Sequence, residues 1–328
     1  METMTDESNI VIDVHVTDYD HESFRSELRA GLLSHPRQVP SKYFYDDHGS
    51  TLFERICELP EYYQTRTEHQ LLNQCADQVV AMTNAEELVE LGSGSATKTR
   101  ILLDSMSRAK QLRMYIPFDV SEGIVRRVAQ ELVSEYQGLQ VHGIVGDFLA
   151  HLEHIPNGGH RLLVLLGGTI GNFRPDAAPA FLSSIYEEMG RGDYFLLGVQ
   201  LETAVDRLEA AYNDAAGITA AFNKNILKVL QATVGADFDP QTFDHIAVYN
   251  YHNHWIEMRL RSVRRQQIHI PGLALALTLE EGEEILTEIS KKYDRPRTEA
   301  LLTKSGFRLV HWFTDPEQLV GLALARKE

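Results

Sequence analysis

Only two cysteines, Cys57 and Cys75, occur in this chain of 328 residues. That excludes a disulfide framework. No Cys or His spacing marks a structural zinc site, so both thiols read as small core residues. Long apolar runs are absent too: stretches such as Leu162–Leu166 fall far short of the roughly 20 residues that span a bilayer. Positive charge is scarce, with 31 Lys and Arg against 47 Asp and Glu and a net charge of -16. Such a surface repels nucleic-acid phosphates and anionic membranes, so neither is expected as a partner. The segment from Met1 to Asp20 is acidic and polar, unlike a signal or transit peptide, and the cytoplasm is the expected compartment. Several catalytic signatures are missing as well: no G-x-x-x-x-G-K-[ST], no G-x-S-x-G, no H-E-x-x-H and no Cys–His nucleophile pattern. His252 with His254, and His151 with His154, have no evident third ligand, and the acidic run Glu280–Glu284 reads as a solvated turn, so no metal is expected.

What is present is a globular composition, 43% hydrophobic and 24% charged, with length for one large domain or two ordinary ones. His21–Ser34, Asp46–Leu59 and Thr65–Met82 carry helical spacing. From Glu86 onward apolar strands alternate with amphipathic helices: strands Glu87–Leu91, Met114–Val120, Leu139–Val145, Arg161–Leu166 and Tyr194–Val199. This predicts a parallel sheet covered on both faces. The alternation stops near residue 200. Glu202–Val234 reads as largely helical, His245–Tyr251 and Trp255–Val263 as paired antiparallel strands, Ala274–Leu279 as a strand and Ser290–Lys304 as a helix. Arg308–Phe313 and Val320–Ala325 suit a hairpin on the sheet edge. The expected fold is α/β, a Rossmann-like sheet domain over 67–200 plus 293–328, with a second α+β domain over 14–66 plus 201–292 and a flexible tail over 1–13.

Within that frame Glu87–Leu91 runs into Gly92-Ser93-Gly94-Ser95 and then a helix from Ala96. A strand, a glycine turn and a helix make the first half-unit of a nucleotide-binding domain, where glycine lets backbone approach a ligand. Thr97 replaces the third glycine of the dinucleotide fingerprint. A turn ending in Glu90, with little phosphate machinery, suits a nucleoside without a pyrophosphate; S-adenosylmethionine is the leading candidate. An ordinary βα turn is the alternative.

Other residues at strand ends extend the pattern. Asp119, closing the second strand, suits a ribose diol, with a helix cap as its alternative. Asp147 and Phe148 after the third strand suit an adenine ring, or a turn with a buried Phe. Three glycines in Gly167-Gly168-Thr169-Ile170-Gly171-Asn172 mark backbone that comes close to something, and the Asn172 amide could hold an amino acid's amino and carboxylate groups. Tyr43, Tyr45, Tyr62 and Tyr63 are either packing or orient a polar substrate. Alternation puts Glu288 and Ser290 on one face; a buried carboxylate there needs a partner, which a hydrogen-bonding substrate ring could supply, whereas a helix start would leave it solvated.

Taken together, these segments resemble the L-histidine Nα-methyltransferases, S-adenosylmethionine-dependent enzymes that make hercynine for ergothioneine biosynthesis. The likeness runs from about Phe24 to Ala325 and is carried by Lys42-Tyr43-Phe44-Tyr45-Asp46, Leu59-Pro60-Glu61-Tyr62-Tyr63 with Thr65-Arg66-Thr67-Glu68, Glu90-Leu91-Gly92-Ser93-Gly94, Ile116-Pro117-Phe118-Asp119, Thr169-Ile170-Gly171-Asn172, Tyr212-Asn213-Asp214 through Asn223, and Leu286-Thr287-Glu288-Ile289-Ser290. The resemblance implies a methyltransferase domain and a second, family-specific domain. It implies that Glu90, Gly92, Gly94, Lys98, Asp119, Asp147 and Phe148 serve S-adenosylmethionine. It implies that Tyr62, Gly167, Thr169, Asn172, Tyr212, Met258, Glu288 and Ser290 serve L-histidine, and that Tyr45 and Asn172 orient the amine. Three successive methylations and a monomeric enzyme are the expectation. Gly168 stands where the family has Ser, Gln200 where it has Asp, and Thr203 where it has Lys. Methylation of another amino acid such as tryptophan, or a non-catalytic protein that binds S-adenosylmethionine, are the competing readings; a dinucleotide oxidoreductase fails on the incomplete fingerprint.

Overall fold

In the computed structural model of the protein, residues 9–15 and 18–327 are described, with side chains from 22 onward in the first helix. The chain begins with β1 (Ile10–Val14), α1 (Asp18–Leu33), the short β2 (Arg37–Gln38), α2 (Asp47–Glu58) and α3 (Tyr63–Thr83). The alternating part follows: β3 (Glu87–Leu91), α4 (Thr99–Arg108), β4 (Met114–Asp119), α5 (Glu122–Glu135), β5 (Gln140–Val145), β6 (Arg161–Leu165), α6 (Ala177–Glu188) and β7 (Tyr194–Gln200). Next come α7 (Val205–Tyr212), α8 (Ile218–Val234), β8 (Phe243–Asn250), β9 (Trp255–Ser262), β10 (Gln266–Ile270), β11 (Leu275–Leu279) and β12 (Glu284–Lys291). The chain closes with α9 (Arg295–Lys304), β13 (Phe307–Thr314) and β14 (Val320–Lys327).

Contacts divide the chain into two compact units. One contains Met1–Val16, Thr67–Leu201 and Tyr293–Glu328; the other contains Thr17–Arg66 and Glu202–Lys292. The first unit is built on an eight-stranded sheet in the order β1-β5-β4-β3-β6-β7-β14-β13. Strands from β1 to β7 pair in parallel, while β14 runs antiparallel to both β7 and β13. All five residues of β3 are buried, as a strand covered on both faces requires. The helix α4 buries Leu102, Leu103 and Met106 on one side, which is why its apolar residues recur at helical spacing. The chain leaves β3 toward β4 on one side and places β6 on the other. The order therefore reverses between β3 and β6, the switch point outside whose strand ends doubly wound sheets bind ligands.

The second unit has a four-stranded sheet, β2-β12-β9-β8, and a two-stranded ribbon of β10 and β11. Strands β8, β9 and β12 pair antiparallel, with β2 parallel to β12.

Two sequence expectations are corrected and a third is refined. Residues 1–8 of the expected tail lie outside the described residues, but Ile10–Val14 extend the sheet by pairing in parallel with Val141–Val145; this run of β-branched residues has the composition of a strand despite its acidic neighbours. The helix expected over Ser290–Lys304 starts only at Arg295, because Glu284–Lys291 continue as a strand and Asp294 caps the helix by accepting from Arg297 N at 2.7 Å. The helical stretch 202–234 is broken at Gly217, which has φ 71°, and Asp214 restarts it by accepting from Ile218 N at 2.9 Å and Thr219 N at 2.7 Å.

The base of the sheet is held by one buried ion pair. Asp193 accepts from Arg161 N at 3.0 Å, Arg161 Nε at 2.8 Å and Gly190 N at 2.8 Å, and both side chains are 3% exposed. Removing one partner strands a charge in low dielectric. Asp193→Ala is expected to lose about 3–5 kcal/mol of stability, read from the urea unfolding midpoint; a midpoint unchanged from wild type would contradict this account.

Candidate active site

At the switch point the first unit gathers most of the residues expected to serve a nucleoside. Gly92 and Gly94 have φ 74° and 47°, so the turn uses backbone conformations that favour glycine. The turn is tied to the next strand twice. Gly92 N donates to Phe118 O at 2.8 Å, and Gly94 N donates to Asp119 Oδ2 at 2.9 Å. Asp119 Oδ1 also accepts from Ser121 N at 3.0 Å; the N-cap of α5 is Ser121, so Asp119 braces the loop ahead of the helix and does not cap it. Burial pushes the Asp119 carboxyl above its ordinary value despite these donors. The Phe148 ring lies within 3.6 Å of the point where a Cβ on Gly92 would stand, which brings the expected adenine-side residue against the turn. Asp147 Oδ1 accepts from Leu149 N at 2.9 Å and its N–H donates to His151 Nδ1 at 3.2 Å, a compact turn.

Glu90 has a different place from the one expected. It is 5% exposed, and its two oxygens are engaged by the hydroxyls of Thr99 and Tyr115. Burial pushes its pKa up to about 7, partly offset by those hydroxyls and by Lys98. Glu90 therefore braces the first strand and α4 from beneath the turn.

Lys98 is not held by the turn alone. Its Nζ pairs with the buried carboxylate of Glu68, and Glu68 also accepts from Gly167 N at 2.9 and 3.0 Å. One carboxylate thus clamps the residue after β3 to the glycine turn after β6. Glu68 lies in a segment that carries the family resemblance but receives no role from the sequence, because only the fold brings it to a turn 99 residues away. Thr169 Oγ1 donates to Leu166 O at 2.9 Å. The Asn172 amide hydrogen-bonds no other described residue, which leaves it available to a ligand.

The Gly168 and Gln200 departures are coupled. Gly168 has φ 71°, and a Cβ there would fall 2.7 Å from Gln200 Cγ and 2.9 Å from Gln200 Nε2. The longer Gln side chain occupies the space a residue 168 side chain would need.

The second unit assembles the residues expected to serve the amino acid. Tyr45, Phe53, Tyr62 and Tyr212 form a wall of rings, with Phe53–Tyr62 centroids 6.0 Å apart and Tyr62–Tyr212 centroids 6.2 Å apart. Tyr45 keeps 40% of its surface accessible, and the shift of its pKa is upward, from partial burial reinforced by Glu288. Tyr62 and Tyr212 are raised well above their ordinary value for the same first reason. Glu288 is directly opposite Met258 across β12 and β9, and Ser290 is opposite Ile256. Among the described residues none hydrogen-bonds Glu288. Burial pushes its carboxyl upward, partly offset by Lys292. Ser290 is 2% exposed; it accepts from the Tyr212 hydroxyl at 2.7 Å and from Lys292 Nζ at 2.8 Å. Lys292 was missed because the sequence reading placed it in a helix; as a strand continuation, Glu288, Ser290 and Lys292 share one face by period two. Among the described residues no group of three or more His, Cys, Asp or Glu is arranged to hold a metal ion, and no helix is long and apolar enough to cross a membrane.

A doubly wound sheet with a glycine turn braced on the next strand's carboxylate, and no phosphate loop, is the architecture of the S-adenosylmethionine-dependent methyltransferases. Comparison with known proteins narrows this. Residues 24–327 match the family model described as histidine-specific methyltransferase, SAM-dependent. The chain is 45% identical over 304 residues to the histidine N-alpha-methyltransferase of Mycolicibacterium smegmatis, covering 93% of this chain and 95% of that one. It is 41% identical over 310 residues to the enzyme of the same name from Mycobacterium tuberculosis, covering 94% and 97%. Ergothioneine biosynthesis protein 1 of Neurospora crassa is 30% identical over 291 residues, which are 85% of this chain and 32% of that longer protein. The chain belongs to the family of histidine-specific, S-adenosylmethionine-dependent methyltransferases. It is a methyltransferase, and S-adenosylmethionine is its methyl donor.

The Gly168–Gln200 fit has a measurable consequence. Gly168→Ser alone should cost about 2–4 kcal/mol, from a left-handed non-glycine residue and a clash with Gln200. Adding Gln200→Asp should recover the clash portion. Equal thermal melting of the single and double variants would break the proposed coupling.

Proposed function

We infer that the chain methylates the α-amino nitrogen of L-histidine, three times in succession, to give Nα,Nα,Nα-trimethylhistidine, the first step of ergothioneine biosynthesis. The observation that carries the substrate is the pair Glu288 and Ser290: a carboxylate with no hydrogen-bond partner among the described residues stands two residues from a buried hydroxyl on one strand. An imidazole ring has one N–H and one bare nitrogen, and such a pair reads both. A carboxylate placed among rings without a partner is costly, and a ligand N–H relieves that cost. The names of the bacterial relatives and of the ergothioneine protein support the same assignment.

The bound donor supplies a methyl already activated on a sulfonium, so the protein's task is alignment and proton management. Alignment can contribute roughly 7–11 kcal/mol in favourable cases. The nucleophile must be the free amine, and an α-ammonium with an ordinary pKa of roughly 8 must first lose a proton. We assign Tyr45 and Asn172 to the amine, and Gly167, Thr169 and Tyr62 to its surroundings. With its pKa raised far above neutrality, the Tyr45 hydroxyl stays protonated and can accept an amine N–H or donate to the carboxylate, but it is no phenolate base. Each neutral amine converted to a trimethylammonium releases two protons, which leave through water. We assign Gly92, Gly94, Lys98, Asp119, Asp147 and Phe148 to the donor, with Glu90 acting through the turn it braces.

Incubation with S-adenosylmethionine and each amino acid in turn, followed by mass spectrometry, should give histidine gains of one, two and three methyl groups. No gain on histidine would sink this reading, and a gain on tryptophan instead would redirect it. Glu288→Ala should raise the histidine KM by at least about 10-fold with a smaller change in kcat, the cost of one charge-assisted bond; an unchanged KM would remove Glu288 from the specificity pair. Tyr45→Phe should lower kcat and alter the pH–rate profile, and normal turnover with an unaltered profile would release Tyr45 from its role.

A further inference from the structure

Lys292 is fully buried, and no part of the function stated so far uses it. Its Nζ donates to Tyr212 Oη at 2.9 Å and to Ser290 Oγ at 2.8 Å, and the Tyr212 hydroxyl donates to Ser290 Oγ at 2.7 Å. The ammonium also lies 4.6 Å from the centre of the Tyr212 ring. These three bonds close a triangle, and the triangle has a direction. An ammonium has donors and no acceptor, so Lys292 must donate along both its edges. Tyr212 Oη receives one of those bonds, which turns its own hydrogen toward Ser290. Ser290 Oγ then accepts twice, and a hydroxyl has two lone pairs and one hydrogen. That hydrogen has no acceptor among the described residues.

We propose that Lys292 is a positioning and specificity-determining residue: by saturating the lone pairs of Ser290, directly and through Tyr212, it commits the Ser290 hydroxyl to donate to the ligand. The proposal rests on the histidine reading above. Under it the site presents one acceptor, Glu288, and one donor, Ser290. That pair fits a neutral imidazole in a single tautomer. It rejects an imidazolium, which has two N–H groups and would meet the Ser290 hydrogen head on, and it rejects rings that carry no acceptor nitrogen. Without Lys292 the Tyr212–Ser290 bond can reverse, Ser290 can accept instead, and the selection is lost. The titratable groups around Lys292 among the described residues are Glu288 on its own strand and Tyr212 on α7, with Tyr45 and Tyr62 facing Glu288. Burial lowers the lysine's affinity for its proton, and Glu288 partly restores it.

The test is a double-mutant cycle on the histidine KM, using Lys292→Met, Ser290→Ala and the double variant, with kcat measured in parallel. Lys292→Met should raise KM by at least 10-fold with kcat changed less than 3-fold. In the Ser290→Ala background the same substitution should add less than 3-fold, because its target is already gone. A purely structural lysine would multiply the two effects, and that result overturns the proposal. Affinity for S-adenosylmethionine, measured by titration calorimetry, checks that each variant is folded. If Lys292→Met does not fold, Lys292→Gln enters the same cycle with the same criterion. Wild-type protein that turns over no histidine overturns the histidine reading and this proposal with it; wild-type turnover with multiplicative variants overturns this proposal alone.

Discussion

A carboxylate taken out of water must find donors, and that constraint organises this molecule. Several acidic side chains in the first unit meet it internally, among them three near the switch point. Glu68 takes Lys98 and the Gly167 amide, Glu90 takes two hydroxyls, and Asp119 takes the amides of Gly94 and Ser121. Each of these bonds crosses from one element to another, so satisfying the charge also fixes the backbone around the switch point. The glycine turn, which has little side-chain packing of its own, inherits its position from Asp119 and from the network below it. Glu288 in the second unit breaks the pattern, since no described residue offers it a hydrogen bond.

The same logic explains how the departures from the family pattern can coexist. A side chain at position 168 and a long side chain at position 200 compete for one space, and the chain resolves the competition by having glycine at the first and glutamine at the second. Taken singly, either difference suggests a damaged turn. Taken together they form one packing solution, with Gln200 also within 3.5 Å of the Gly167 carbonyl. The turn after β6 therefore keeps two supports, Glu68 on its amide and Gln200 on its carbonyl.

Much of this was legible in the sequence because the relevant signals are local. The alternation from Glu86 to Val199 gave the parallel sheet, and Asp119, Asp147 and Phe148 stand at strand ends where loops must carry function. The period-two spacing of Glu288 and Ser290 pointed to one face. What escaped was non-local or ambiguous. Glu68 reaches its partners only through the fold. Glu90 at a strand end looks the same in sequence whether it faces a ligand or the core, and burial decides for the core. Lys292 was hidden by extending a helix too far toward the N-terminus: Lys291-Lys292 looks like the charged face of a helix, whereas the Asp294 cap and Pro296 put the helix start later. The strand Ile10–Val14 was masked by acidic neighbours that say nothing about its own residues.

The chemistry favours neutral groups around the amine, and Tyr45 of the second unit, assigned to it above, is such a group. Methyl transfer to an amine creates no new net charge; it moves a positive charge from sulfur to nitrogen. A carboxylate beside the nitrogen would stabilise the ammonium before reaction and so withhold the lone pair that must attack. Phenols held far from ionisation avoid this: in the assignment proposed above, the neutral Tyr45 hydroxyl can hydrogen-bond the free amine without binding its proton tightly. Their ring faces also offer weak attraction to the growing cation. On the reading proposed above, Glu288, Ser290 and Lys292 serve the imidazole end of the substrate, apart from the reacting nitrogen. On that reading, one site can accept the primary, secondary and tertiary amine in turn, because the groups proposed to recognise histidine meet the same ring at each step.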